Sequence, residues 1–200
     1  RRGNFLAAIV MLIAIVATLL QVRLVTYTEI AVCVLLGTII GLYYAYKVEM
    51  TQIPEMVALF NGFGGLASVF VALSDYFLRT QSNQEDMGAV TAVSIILSIL
   101  IGAVTFTGSM VAFLKLNGKI TGSPITFSGQ HLLNLILLIA FIVGSVMLYA
   151  DSSQVSYVYI ITAIGLLLGI LTVIPIGGAD MPVVISLLNS YSGMAACATG

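Results

Sequence analysis

Charged residues are scarce in this sequence, and tryptophan is absent. Of its 200 residues, 8% are charged and 60% are hydrophobic, the net charge is -1, and the mean hydropathy is +1.15. Because a soluble domain carries about 25% charged residues, this composition indicates an integral membrane protein. The sequence also lacks a basic cluster and an array of stacking aromatic side chains, so it predicts no binding to nucleic acid.

Cysteine and histidine are too few for a metal site or a disulfide framework. The two cysteines, Cys33 and Cys197, lie in apolar runs, where small inert packing residues are expected. The single histidine, His131, cannot form a His-rich metal site. The chain also has no Walker loop, zinc motif, nucleophile elbow or strand-to-helix Gly-x-Gly-x-x-Gly, so we expect it to bind no metal and no nucleotide by itself.

Seven apolar runs fill the sequence instead. Each is long enough to cross a bilayer, which takes roughly 17–25 residues. Glycine, alanine and serine recur inside them, and small residues let helix backbones approach closely in lipid. The alternating pattern of a β-barrel is absent. The predicted fold class is all-α, a polytopic transmembrane bundle that forms one domain over residues 1–200. The predicted helices are 5–22, 28–46, 54–74, 88–114, 131–150, 155–174 and 182–199.

Basic residues in the short loops predict the orientation. Five fall on the N-terminal side and two on the opposite side, namely Arg1, Arg2, Lys47, Lys115 and Lys119 against Arg23 and Arg79. The N-terminal side is therefore expected to face the cytoplasm, or the matrix of a mitochondrion. Lys115 and Lys119 are expected to snorkel to that surface and anchor a loop.

Two predicted helices share the pattern Pro-x4-Leu-x-Asn-x-aromatic-x-Gly-x-Ala, at 54–67 and 182–195. Asn61 and Asn189 each follow the proline by seven residues, so at ~1.5 Å per residue both lie about 10 Å into their helices. Because both helices start on the same side, the two amides are expected at equal depth, where they can share a water chain. An amide does not titrate near neutral pH, so the pair can pass a proton along but cannot carry its charge. Hydroxyls beside Asn189 extend this costly polar stretch, at Ser190, Tyr191 and Ser192.

The segment before the last helix, Gly-Gly-Ala-Asp-Met-Pro, is a second candidate site. Asp180 stands at a helix N-terminus, where a negative charge is favoured, so a simple capping acid and a functional carboxylate both stay open. Gly177 and Gly178 permit unusual backbone angles or a hinge. Pro182 occupies the first helical turn, where its missing N–H costs nothing.

Hydroxyls in the fourth predicted helix carry less functional weight. Thr105, Thr107 and Ser109 lie in the run Ala-Val-Thr-Phe-Thr-Gly-Ser. Such groups bond to the preceding turn of their own helix or to a neighbouring helix. Helix packing is therefore favoured over a pore-lining role.

Four segments closely resemble the β subunit of proton-translocating NAD(P) transhydrogenase. They are 47–58 (Lys-Val-Glu-Met-Thr-Gln-Ile-Pro-Glu-Met-Val-Ala), 102–109 (Gly-Ala-Val-Thr-Phe-Thr-Gly-Ser), 115–120 (Lys-Leu-Asn-Gly-Lys-Ile) and 177–193 (Gly-Gly-Ala-Asp-Met-Pro-Val-Val-Ile-Ser-Leu-Leu-Asn-Ser-Tyr-Ser-Gly). The resemblance covers nearly the whole chain and implies part of the membrane domain of a redox-driven proton pump. In that family, soluble domains pass hydride between NADH and NADP⁺ while the membrane domain conducts protons.

The resemblance implies further parts that lie outside this sequence. An NADP(H)-binding domain follows the membrane helices on the same polypeptide in that family, and it is absent here. The NAD(H)-binding domain belongs to an α subunit, and a dimer of α–β units is implied. The implied location is a bacterial inner (plasma) membrane or a mitochondrial inner membrane.

The resemblance also implies roles for particular residues. Asp180 matches the aspartate that the family places at the cytoplasmic junction with the NADP domain, and Asn189 matches the asparagine that lines the proton path. Many members have a proton-carrying histidine where this chain has Asn61, which implies either a titratable group from another subunit's helix or impaired conduction.

Two other classes of function stay open from the residues alone. Parallel repeats and polar sites at the midplane are also usual in secondary transporters. A structural membrane subunit, in which the asparagines only pair helices, is the third interpretation.

Overall fold

Seven α-helices make up most of residues 2–21, 27–81 and 88–199, the parts of the chain that the computed structural model describes. No strand occurs in those ranges, which confirms the all-α prediction. Two short 3-10 turns, Met50–Gln52 and Gly178–Asp180, precede the third and seventh helices. The helices are α1 (Arg2–Gln21), α2 (Tyr27–Lys47), α3 (Ile53–Gln81), α4 (Ala89–Leu116), α5 (Gln130–Ala150), α6 (Val155–Val173) and α7 (Met181–Thr199).

Helices α1 to α6 are long and apolar enough to cross a bilayer, so the protein is membrane-embedded. The described part of α7 is not among these six, and its crossing stays a prediction. α3 is longer than predicted, because it continues past residue 74 to Gln81. Asp75 and Arg79 in the added turns form an ion pair of 2.9 Å. A pair at this spacing stabilises a helix beyond the end of its apolar run.

α1 and α2 form a unit of their own within residues 1–48. Neither α2 nor the membrane-length part of α1 has a buried residue. Thr18 and Thr38 donate hydrogen bonds of 2.9 and 2.7 Å to carbonyls four residues earlier. These hydroxyls are thereby satisfied within their own helices, which leaves an apolar surface suited to lipid.

The second unit, residues 49–200, is built around α4. α4 packs against α3, α6 and α7, and α5 packs against α6. α3 runs antiparallel to α4, because Asn61 meets Ser109 and Gly65 meets Gly102. One cluster of buried apolar residues joins the first halves of α3 and α7 to the ends of α4 and α6: Ala58, Val111, Ala112, Val173, Met181, Ile185 and Leu188. α3 and α7 therefore start on the same side of this unit, as the shared sequence pattern predicts.

The contact between α3 and α4 brings the two backbones together. A Cβ on Gly65 would lie 2.7 Å from the carbonyl oxygen of Gly102, and a Cβ on Gly102 would lie equally close to the carbonyl oxygen of Gly65. Glycines at both positions thus permit the approach, which is how helices pack in lipid without a hydrophobic driving force. The close contact fixes the depth of polar residues one turn away.

Candidate functional site

A buried amide–hydroxyl pair joins α3 to α4. The Nδ2 of Asn61 donates a hydrogen bond of 2.9 Å to the Oγ of Ser109. Asn61 is 8% exposed and Ser109 is fully buried. Ser109 bonds to a neighbouring helix, one of the two partners expected for it, and its pairing with a candidate site residue was not predicted.

α3 and α7 contact each other, and together they line a groove of about 550 Å³ to which both asparagines contribute. Its wall is lined by Val57, Phe60, Asn61 and Gly64 from α3 and by Pro182, Ile185, Ser186, Asn189 and Ser192 from α7. Asn61 and Asn189 thus line one groove, and their equal depth in the membrane stays a prediction. The Asn189 side chain is exposed, and no hydrogen bond to it occurs within the described ranges. Its amide is free to bind water or a group from another helix.

The three hydroxyl residues that follow Asn189 face different surroundings. Ser192 lines the groove and also donates to the carbonyl of Leu188 at 3.2 Å. Ser190 is exposed, donates to the carbonyl of Leu187 at 2.7 Å, and is not among the residues that line the groove. Tyr191, 37% exposed, is also outside that set. Roles for Ser190 and Tyr191 in proton transfer stay predictions.

Hydroxyls on α4 divide into satisfied and unsatisfied groups. Thr107 donates to the carbonyls of Ala103 and Leu166 at 3.0 and 2.8 Å, which confirms its packing role. Thr105 is fully buried one turn before Ser109, and its hydroxyl has no hydrogen-bond partner in the described part of the chain. An unpaired buried hydroxyl is costly, so packing alone does not account for Thr105.

Asp180 lies at the end of the 3-10 turn Gly178–Asp180, directly before α7. Its side chain is exposed, and within the described ranges no hydrogen bond to its carboxylate occurs. A capping acid would accept hydrogen bonds from the free N–H groups of the helix. The exposed carboxylate is available to a partner at this end of α7.

Gly177 and Gly178 do not show the unusual backbone angles expected for them. Gly177 has φ −67° and ψ 151°, an extended conformation open to any residue, and the positive-φ glycines of the described chain are Gly118 and Gly129. The first of the two alternatives, unusual backbone angles, is therefore wrong, the hinge stays a prediction, and the reason for glycine at 178 is space. A Cβ on Gly178 would lie 3.3 Å from the Cα of Gly122, whose carbonyl oxygen accepts a hydrogen bond of 2.7 Å from the Gly178 N–H.

Lys115 does not snorkel to the surface, so that part of the prediction is wrong, whereas its hydrogen bond to Ser123 confirms that it anchors the loop after α4. Its side chain at the end of α4 is buried, with 4% exposed. The Nζ donates three hydrogen bonds, to the carbonyl oxygens of Ile174 and Ile176 at 2.7 Å and of Ser123 at 3.1 Å. The Ile174 and Ile176 carbonyls follow the end of α6, where the helix leaves backbone acceptors without an intrahelical partner, and charge-assisted hydrogen bonds to them offset part of the cost of burying the ammonium group.

Glu55 in the first turn of α3 is bonded to the loop that follows α4, close in sequence to Lys115. It is 9% exposed, and its Oε2 accepts a hydrogen bond of 2.9 Å from the Nδ2 of Asn117, just after α4. A carboxylate in the first turn is favoured by the helix N-terminus. The bond to Asn117 adds a tie between α3 and the loop that follows α4.

Comparison with known proteins identifies the family. The model of the NAD(P) transhydrogenase beta subunit family matches residues 1–200. The chain belongs to that family. Two curated relatives, both NAD(P) transhydrogenase subunit beta of Rhodospirillum rubrum, are 42% identical to it over 203 aligned positions. The alignment covers 100% of this chain and 44% of each relative, so the chain spans less than half the length of these transhydrogenase subunits.

Proposed function

We propose that this chain conducts protons in the membrane domain of a proton-translocating NAD(P) transhydrogenase. Proton passage is coupled to hydride transfer between NADH and NADP⁺, which takes place in soluble domains outside this chain. The observation that carries the proposal is the groove between α3 and α7 that both Asn61 and Asn189 line. Family membership favours this function over a secondary transporter or a structural membrane subunit.

The groove has the properties of a proton path rather than of a ligand pocket. Its polar groups are the amides of Asn61 and Asn189 and the hydroxyls of Ser186 and Ser192. Amides and hydroxyls both donate and accept hydrogen bonds, so they can order a file of water molecules through an apolar wall. Ser109 accepts one N–H of the Asn61 amide, which leaves the other N–H and the amide oxygen for the groove.

The titratable group comes from outside this chain in our proposal. None of the nine groove-lining residues titrates near neutral pH. An exposed amide such as Asn189 is costly in a membrane unless another polar group or water meets it. A helix of the α subunit that covers the groove and carries a histidine or carboxylate would supply both the titratable group and a polar partner for Asn189.

The surroundings of the proposed path follow from the family and from the charge pattern. NAD(H) and NADP(H) are bound by the α subunit and by the NADP-binding domain of the full-length chain, and the assembly is a dimer of α–β units. α3 and α7 start on the cytoplasmic or matrix side of a bacterial or mitochondrial inner membrane. Asp180, Gly177, Gly178 and Pro182 then form the junction with the NADP-binding domain.

The first test replaces Asn189 by leucine in a complete α–β enzyme that contains this chain. Asn189→Leu removes one polar wall of the groove, so proton uptake driven by hydride transfer is expected to fall by about tenfold or more. Met194→Leu on the same helix is the control, because Met194 is exposed and lies outside the groove lining. Proton uptake at the native level in Asn189→Leu would contradict the proposal.

A further inference from the structure

Lys115 is a buried cation that bonds to backbone carbonyls rather than to a carboxylate within the described ranges. Its side chain is 4% exposed, and within the described ranges no carboxylate lies at ion-pair distance from its Nζ. Removing an ammonium group from water is costly, and a neutral apolar residue would fill the same space at lower cost. Three charge-assisted hydrogen bonds offset that cost, so the function of the charge is to hold the three carbonyls to which it bonds.

The three carbonyls belong to two separate stretches of chain. Ser123 lies in the loop between α4 and α5, whereas Ile174 and Ile176 lie between α6 and α7. The stretch that contains Ile174 and Ile176 continues directly into Gly177, Gly178 and Asp180. The ammonium group of Lys115, at the end of α4, therefore binds both the loop after α4 and the segment that leads to Asp180.

Backbone hydrogen bonds strengthen the same connection. The N–H of Ile125 donates to the carbonyl of Ile174 at 3.2 Å, and the N–H of Gly178 donates to the carbonyl of Gly122 at 2.7 Å. We call Lys115, the loop 117–129 and the segment 174–180 the junction clamp. Its two stretches are bonded to each other and, through Lys115, to the end of α4.

The junction clamp is connected to both halves of the amide–hydroxyl pair. Lys115 follows Ser109 by six residues on the same helix, so α4 links the ammonium group rigidly to the hydroxyl that holds Asn61. Asn117, in the loop of the clamp, donates to Glu55, which precedes Asn61 by six residues on α3. A displacement of the segment 174–180 would therefore act on α3 and on α4 at once.

We propose that Lys115 is the positioning residue through which the segment around Asp180 and the Asn61–Ser109 pair move together. This inference rests on the proposed function and deepens it, because it names the part that transmits a change at the junction to the proton path. Lys115 touches neither the proton nor a nucleotide. It acts by keeping the end of α4 and the junction segment in one rigid body.

The test measures protons taken up per hydride transferred, in vesicles that contain the complete α–β enzyme. Lys115→Met removes the three hydrogen bonds but keeps most of the side-chain volume, and the ratio is expected to fall by about fivefold. Lys115→Arg keeps the charge and the donors, and we expect it to stay within about twofold of native. A purely structural role would lower proton uptake and hydride transfer together, so a native ratio in Lys115→Met would overturn the inference.

A second pair of variants tests the clamp without touching the buried charge. In Gly178→Ala the added Cβ would lie 3.3 Å from the Cα of Gly122, so the two stretches must move apart slightly and their hydrogen bond is weakened. In Gly122→Ala the added Cβ meets nothing within 4 Å, which makes it the matched control. A lower ratio in Gly178→Ala than in Gly122→Ala is expected, and equal ratios would overturn the inference even if Lys115→Met fails to assemble.

The same vesicle measurement separates this inference from the proposed function. If Asn189→Leu pumps like the native enzyme, the proton path itself is misassigned. If Asn189→Leu blocks pumping while Lys115→Met and Gly178→Ala keep the native ratio, the path stands and the role of Lys115 is refuted.

Discussion

At the scale of single residues, the hydrogen bond between Asn61 and Ser109 organises the site. A hydroxyl on the neighbouring helix takes one N–H of the amide and leaves the other N–H and the carbonyl oxygen for the groove. Thr105, one turn away on α4, is equally buried and has no partner among the described residues. The two hydroxyls therefore have opposite effects on stability, although both lie in the same run of sequence.

We expect Ser109→Ala to destabilise the protein and Thr105→Val to leave its stability unchanged or raise it. Removal of the Ser109 hydroxyl leaves a buried amide without its partner, which costs about 1–2 kcal/mol. Removal of an unpaired hydroxyl of similar shape abolishes a desolvation cost instead. Reversible unfolding in mixed micelles measures the difference, and equal losses in the two variants would show that the Asn61–Ser109 bond contributes no net stability.

The sequence could identify the polar residues but not all of their partners. Asn61 and Asn189 could be placed together because a shared proline sets the depth of each amide. Ser109 could not be assigned to Asn61, because hydroxyl groups in apolar helices look alike whether they bond to their own helix or to a neighbour. The burial of Lys115 could not be predicted, because two of its three carbonyl acceptors lie 59 and 61 residues away in the sequence.

At the scale of helices, α4 determines the geometry of the site. It contacts α3, α6 and α7, so the α4 side chains at these contacts set the distances among the three neighbouring helices. The close approach of Gly65 and Gly102 lies one helical turn from Asn61 and sets how deep the amide sits against Ser109.

We therefore expect Gly65→Ala to disturb the bundle and Gly64→Ala to be tolerated. A Cβ on Gly65 would lie 2.7 Å from the Gly102 carbonyl oxygen and 2.9 Å from the Phe106 nitrogen, whereas a Cβ on Gly64 meets nothing within 4 Å. Backbone atoms cannot move aside as side chains do, so overpacking of this kind costs about 1–3 kcal/mol. Thermal unfolding in detergent compares the two variants, and similar midpoints would contradict the close packing of α3 on α4.

Helix ends were predictable where polarity changes sharply and less so elsewhere. The start of α3 agrees with prediction because Pro54 marks a first helical turn. Its end does not, because Asp75 and Arg79 continue the helix beyond the apolar run by pairing with each other.

At the scale of the whole molecule, the second unit holds a polar groove and a junction that are joined through α4. The groove lies between α3 and α7, and the junction clamp gathers the loop after α4 and the segment before α7. The chain spans 44% of the length of its transhydrogenase relatives, so proton transfer and hydride transfer are tested in the complete enzyme.

The most direct test of the central claim is proton flux as a function of pH in vesicles that contain the complete enzyme, with and without Asn61→His. A histidine in the groove adds a group that titrates near neutral pH, so the flux is expected to acquire a new dependence on pH between about 6 and 8. Phe63→His is the control, because Phe63 is on the same helix but outside the groove lining, and its profile is expected to match the native one. Identical pH profiles for native enzyme and Asn61→His would contradict the assignment of the groove between α3 and α7 as the proton path.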